Sequence, residues 1–322
     1  MSILKMSHTR RRSLGLTATA VAVALAAAGC GGDGGNTPPA LPGNPGLGGD
    51  GVVAQSVYDA APVATDADIP AGSTMDAIRK RGHLIVGGSL DAPLLSQQNP
   101  VSGTIEGFDA DMAKLLAKYI IGKPEVKTTT IGTQTREAML QAKSVDAVFQ
   151  TYTITPQRAT QVAFAGPYLT SGLAVGVRKD DTSIKSVKDL AGKTVIVGAN
   201  TPAVTALPSA APGSKQVAFG TDPQAVQALL QNRGEAYVQD FTLLASNAKA
   251  NPGMKVVGEP FTTEAYGIGL NREDAQFKEF VNNWLKKIQA DGTWAKVWEG
   301  TLGSVVEGGA PTPPVIGSAD GS

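Results

Sequence analysis

The sequence predicts an α/β protein folded as two lobes, and three observations predict it. Buried strand runs alternate with amphipathic helix runs, the pattern of largely parallel sheets covered by helices. Three of the strands end directly on a helix-capping residue. Hydrophobic strands gather around two centres, one before Leu169 and one after Ser171. The 322 residues suffice for about two ordinary domains. With 42% hydrophobic and 17% charged residues, most of the chain can bury a core.

Residues 1–30 read as a targeting signal: basic Lys5, Arg10, Arg11 and Arg12, a short apolar run, then Ala28-Gly29-Cys30. The one cysteine after small residues resembles a bacterial lipobox, with Ala27 where a leucine is usual. A lipid on Cys30 would tether the protein outside the cytoplasm to the cell membrane. The alternative is a plain secreted chain carrying a free thiol. Basic and acidic residues number 28 each and form no long basic stripe beyond the signal, so nucleic acid is not an expected partner. With a single cysteine, no intrachain disulfide can form and the fold rests on packing.

Residues 31–72 begin GGDGGNTPPALPGNPGLGGDG and read by composition as a flexible linker. Residues 305–322 read as a loose tail for the same reason. The body starts at Ser73, the cap of the helix STMDAIRKRG, followed by the strand HLIVGGS. His83 stands alone at that junction and reads as structural. In GFDADMAKLLAKYI, Phe108, Met112, Leu115, Leu116 and Tyr119 share one helix face, while Asp109 and Asp111 suit the helix dipole. This Asp pair lacks the further ligands and glycine of a calcium loop, so no metal is expected. Strands EVKTTTI, VDAVFQ, AVGVRKD, KTVIVG, EAYVQ, MKVVGE and YGIGL follow, separated by helices, and Trp284, Trp294 and Trp298 near the end read as packing residues. The GKT at Gly192 lacks the earlier glycine of a phosphate-binding loop and reads as a helix end.

The functional signal lies where strands meet helices. VDAVFQTYTI runs into Thr155-Pro156, KTVIVGAN into Thr201-Pro202, and EAYVQ into Asp240. In open α/β sheets such strand ends face a crevice, into which helix N-termini point free N–H groups. Arg158, a cation in a first helical turn, is electrostatically misplaced unless an anion sits there, and its planar fork suits a carboxylate. Asp240 supplies the opposite charge, and the pair together suits a zwitterion. Thr201 and Asp240 read equally well as simple helix caps; Arg158 alone can read as a surface ion pair, and the joint occurrence at corresponding strand ends favours the functional reading.

The segments GFDADMAKLLAKYI, VDAVFQTYTITPQRATQVAFAGPYLTSGLAVGVRKDD, SVKDLAGKTVIVGAN and EPFTTEAYGIGLNRED resemble the substrate-binding proteins of polar amino-acid ABC importers, and among them glutamate-binding lipoproteins. The likeness spans Ser73 to Gly303. It implies the two-lobed type II fold of periplasmic binding proteins, with hinge crossovers near Gly166–Ser171 and Pro260–Tyr266. The first lobe would be discontinuous, residues 73–170 plus 263–304, and the second would be 171–262. It also implies roles for single residues. Arg158 would hold the ligand α-carboxylate, supported by Thr153 and, from the second lobe, Thr201. Asp240 would receive the ammonium with the Thr151 carbonyl. Asp91, Tyr266 and Gln150 would line the cleft. Pro202 stands where relatives carry glycine or serine and removes one N–H donor. The implied ligand is glutamate, aspartate or their amides. The implied partner is an ABC permease, with no cofactor and a monomeric protein.

Two other functions remain open from the residues alone: a sensor signalling to a receptor or kinase, and a dehydratase on the same fold. The dehydratase requires a general acid in the cleft, and the sequence names none. For a ligand side-chain carboxylate, Arg136 and Lys143 are the candidate cations, either of which can equally serve a helix surface.

Overall fold

The computed structural model describes residues 52–322, so the signal, Cys30 and residues 31–51 lie outside the described residues. In chain order come helices α1 (Gln55–Ala60) and α2 (Thr74–Arg81), strand β1 (Leu84–Gly88) and the short strands β2 (Asp91–Ala92), β3 (Ser96–Gln98) and β4 (Ile105–Glu106). Helix α3 (Phe108–Ile121), strand β5 (Val126–Thr130), helix α4 (Arg136–Gln141), strand β6 (Ala147–Val148), helix α5 (Pro156–Ala159) and strand β7 (Ala163–Ser171) follow. The second lobe holds β8 (Leu173–Arg178), β9 (Thr194–Gly198), α6 (Pro202–Ala210), β10 (Lys215–Phe219), α7 (Asp222–Leu230), β11 (Ala236–Asp240), α8 (Phe241–Ala250) and β12 (Met254–Val257). The chain then returns through β13 (Glu264–Leu270), α9 (Ala275–Ala290) and α10 (Thr293–Gly300).

Each lobe is built on a five-stranded sheet, in the orders β5-β1-β6-β13-β7 and β10-β9-β11-β8-β12. Four strands of each sheet run in one direction, as expected of largely parallel sheets, and one strand in each, β13 and β8, runs against them. Strands β5, β1 and β6 run parallel, as do β10, β9 and β11, but β13 and β7 pair antiparallel, and β8 runs antiparallel to both β11 and β12. The cause is the double crossover: one strand leaves a lobe where another re-enters it, so the two run side by side in opposite directions.

The crossovers meet where β7 passes through Gly172 into β8. Leu173 N donates to Thr262 Oγ1 at 2.8 Å, and Phe261 N to the Leu173 carbonyl at 2.8 Å. A Cβ on Gly172 would lie 2.0 Å from the Thr262 carbonyl oxygen, so only glycine allows this approach.

The first lobe's core forms as its helix pattern requires. Phe108, Met112, Leu115, Leu116 and Tyr119 are all buried, and α3 ends on Gly122 in the left-handed region. Ser73 caps α2 by accepting from Asp76 N. Trp284, Trp294 and Trp298 are buried, and the Trp294 indole donates to the Tyr168 carbonyl.

Two segments expected to be loose are packed. Within 31–72, Val53, Val57 and Tyr58 are buried in the first-lobe core, and the Tyr58 hydroxyl donates to Asp111 at 2.6 Å. Arg79 holds the stretch further on through Asp66 and the Ala64 carbonyl. Val57 and Tyr58 on α1, with Val53 just before it, supply apolar side chains inside a Gly/Pro/Ala background, and their burial outweighs bulk composition. In 305–322, Val306, Ala310 and Ile316 pack on the same core, and Gly317 N donates to the Gly166 carbonyl at 2.8 Å.

Candidate functional site

The ends of β6, β9 and β11 converge on one cleft between the lobes. All eight residues expected at the site line it: Asp91, Gln150, Thr151, Thr153, Arg158, Thr201, Asp240 and Tyr266. Arg136 lines it as well, whereas Lys143 is exposed outside it near Glu273.

Helix α5 has only four residues and starts on Thr155, whose hydroxyl accepts from Arg158 N, with Pro156 next. Arg158 is thus carried back under the cleft, 8% exposed. Its Nη1 donates to the Thr153 carbonyl at 2.7 Å, and its Nη2 crosses to the second lobe and donates to the Asn200 carbonyl at 2.7 Å. Its one ion pair among the described residues is a long, buried one to Glu137 at 3.9 Å, so the alternative reading of a surface ion pair gives way to a buried guanidinium bonded mainly to carbonyls. Burial lowers its pKa.

Arg136, 3% exposed, sits over the same aromatic ring. Its guanidinium is 4.1 Å and that of Arg158 5.0 Å from the centroid of Tyr152. Arg136 donates to the Thr133 and Gln150 carbonyls and forms no ion pair among the described residues. Burial, then the charge of Arg158, pushes its pKa down to about 9.

Asp240 is a helix cap, as one of its two readings had it, and it also lines the cleft. It caps α8 by accepting from Leu243 N at 2.9 Å, and its other oxygen accepts from the Tyr266 hydroxyl of the returning crossover. Burial raises its pKa. Thr201 stands at the N-cap of α6, but its hydroxyl donates back to the Gly198 carbonyl and does not cap. Gln150 Nε2 is anchored on Ser89 Oγ and the Ile131 carbonyl, which leaves its buried Oε1 without a partner.

Three acids that line the cleft were missed: Asp109, Glu264 and Asp222, the last accepting from the Tyr237 hydroxyl and from Asn247 Nδ2, each at 2.7 Å, with desolvation raising its pKa to about 6. Asp109 accepts from the Tyr168 hydroxyl at 2.6 Å and from Thr151 N at 2.9 Å, and burial raises its pKa to about 6. It thereby holds Thr151 at φ +41°, a backbone region unfavourable to a β-branched residue. Its spacing with Met112 and Leu116, three and seven residues on, placed it on a buried helix flank and was the available signal. Glu264 accepts from Thr153 Oγ1 at 2.9 Å, and burial raises its pKa to about 7. It sits two residues before Tyr266 on the same face of β13, which was again readable.

Two lobes on mixed sheets, joined by a paired crossover around a charged cleft, are the type II architecture of solute-binding proteins. The chain belongs to the bacterial extracellular solute-binding proteins, family 3, whose family model matches residues 84–303. It is 38% identical to the glutamine-binding protein of Geobacillus stearothermophilus over 215 residues, 66% of this chain and 81% of that protein. It is 31% identical to the glutamate-binding protein GluB of Corynebacterium efficiens over 260 residues, 76% of this chain and 88% of that protein. Among solved structures, the cysteine-binding protein of Campylobacter jejuni matches with a TM-score of 0.69 at 28% identity, over 76% of this chain and 100% of that one.

Proposed function

We propose that the protein binds an acidic amino acid, glutamate first, in the inter-lobe cleft outside the cytoplasm and delivers it to the permease of an ABC importer. Arg158 takes the α-carboxylate, with Thr153 and Thr201 beside it. The carboxylate displaces the neutral Asn200 carbonyl because a charged acceptor makes the stronger bond to a guanidinium. Asp240 takes the ammonium, together with the Thr151 carbonyl and the Tyr266 hydroxyl. Asp91 and Gln150 border the side chain. A lipid on Cys30 keeps the monomer at the membrane.

One observation carries the side-chain preference: Arg136 is a buried guanidinium, lining the cleft, with no ion pair among the described residues. A buried charge is retained at considerable cost unless something compensates it, and a ligand carboxylate does so. The unpartnered Gln150 Oε1 favours a second ligand, glutamine, whose amide can donate to it.

Calorimetry against the twenty amino acids tests the reading. Micromolar binding of glutamate is expected, and silence with every acidic and amide amino acid overturns the ligand class. Glu264 does supply a cleft acid, so recovery of the ligand unchanged after incubation is the check against a dehydratase. Release of a Cys30→Ser variant into the soluble fraction tests the lipid. Co-purification with a permease, and not with a kinase, separates transport from sensing.

A further inference from the structure

We propose that residues 305–322 form a positioning strap that holds Arg158 in place from behind, setting ligand affinity without contact with the ligand. This rests on the proposed role of Arg158 as the carboxylate receptor.

The strap lies beyond the family match, which ends at residue 303. It serves a weak point. One turn of helix has no stability of its own, because nucleation costs more than so few hydrogen bonds return. Helix α5 is such a turn, and Arg158 is its third residue. Its geometry is therefore imposed by whatever packs around it.

The strap is anchored along the first lobe on its way to that turn. Val306 N donates to the Leu302 carbonyl, and Gln289 Nε2 to the Pro314 carbonyl at 3.2 Å, which lays the segment along the first lobe. Gly317 N then bonds the carbonyl of Gly166, inside the outgoing crossover strand β7. Ala319 packs against the cluster that contains Tyr152 and Ile154, and Tyr152 is the ring under both guanidinium groups.

Gly321 closes the contact at α5 itself. A Cβ there would lie 2.7 Å from the Ala159 Cβ and 3.6 Å from the Thr155 carbonyl, the last residue and the cap of the helix. Its φ of +98° also excludes a side chain without strain. The strap thus runs close against both ends of the turn that presents Arg158, and none of its residues lines the cleft.

Loss of a segment that only covered apolar surface would lower the melting temperature and leave affinity alone. The experiment compares the intact chain with a deletion of 305–322 and with Gly321→Val, using glutamate and glutamine as probes in calorimetry. Thermal melts and circular dichroism report the fold. The Kd is expected to rise about tenfold or more in both variants, and a synthetic peptide of residues 305–322 is expected to restore the deletion. Tyr58→Phe, which loosens the other packed segment, is expected to lower the melting temperature at constant Kd. If the deletion does not fold, Gly321→Val alone decides. An unchanged Kd in folded Gly321→Val overturns the strap, as does a Kd that rises equally in Tyr58→Phe. If Arg158→Ala also binds normally, the fault lies with the proposed carboxylate site instead.

Discussion

Arg158 and Asn200 join the two lobes through a hydrogen bond of 2.7 Å, from a buried guanidinium to a backbone carbonyl. Thr133 makes a parallel link to the Ala199 carbonyl, also at 2.7 Å. The arginine proposed to hold the ligand therefore bridges the two lobes until a carboxylate displaces the Asn200 carbonyl. Replacing it with alanine should cost about 2–5 kcal/mol of binding, because the ligand carboxylate is left desolvated and unpaired. Arg158→Lys should recover only part of this, since an ammonium lacks the fork that bonds Thr153 and a carboxylate together. Calorimetry with glutamate decides both, and equal affinity in Arg158→Ala removes the residue from the site.

Arg136 offers a test that separates affinity from stability. Burial of this cation without an ion pair is unfavourable, so Arg136→Met should leave the ligand-free melting temperature unchanged or raise it. The same change should weaken glutamate far more than glutamine, by about 2 kcal/mol or more, because only the acid loses a charge partner. Equal losses for the two ligands would show that Arg136 does not read the side chain.

The convergence of Arg158, Thr201 and Asp240 on one cleft was legible because each stands where a strand stops and a helix starts, a junction that leaves a mark in sequence. Asp109 was hidden behind a sufficient local explanation, the helix dipole, whereas its carboxylate reaches 42 residues along the chain to Thr151. Glu264 was passed over for Tyr266, although both share one strand face. Residues 52–72 and 305–322 were misread for another reason. Composition averages over a window, but Val57, Tyr58, Ile316 and Gly321 act through single contacts with a surface formed by distant parts of the chain. The antiparallel strands were likewise invisible locally, since strand direction is set by the return of the crossover.

Gly172 sits where the crossovers touch, and any side chain there meets the Thr262 backbone. Gly172→Ala must push the two strands apart, with an overpacking cost of about 1–3 kcal/mol in thermal or urea unfolding. Because those strands are the connection between lobes, the ligand-induced change in small-angle scattering should also shrink or vanish. Full stability with normal closure would mean that the crossovers slide freely at this point.

Glu264 makes the site sensitive to pH. It faces Arg158 of α5, Thr153, Thr262 and, across the cleft, Asp240, and burial raises its pKa from 4.5 to about 7. The folded state therefore holds a proton that the unfolded chain releases near 4.5, so this group favours folding at low pH. That contribution is lost as pH rises through about 7, at a cost on the order of 3 kcal/mol. A ligand carboxylate beside Thr153 should be opposed by ionised Glu264 and not by the protonated acid. Affinity for glutamate is then expected to fall as pH rises from 6 to 8, with proton uptake on binding seen as a buffer-dependent heat. Glu264→Gln should flatten both the affinity and the stability profiles across this range and be the more stable protein at its alkaline end. A wild-type affinity that is level from pH 6 to 8 would mean that Glu264 keeps one charge state and that the coupling is absent.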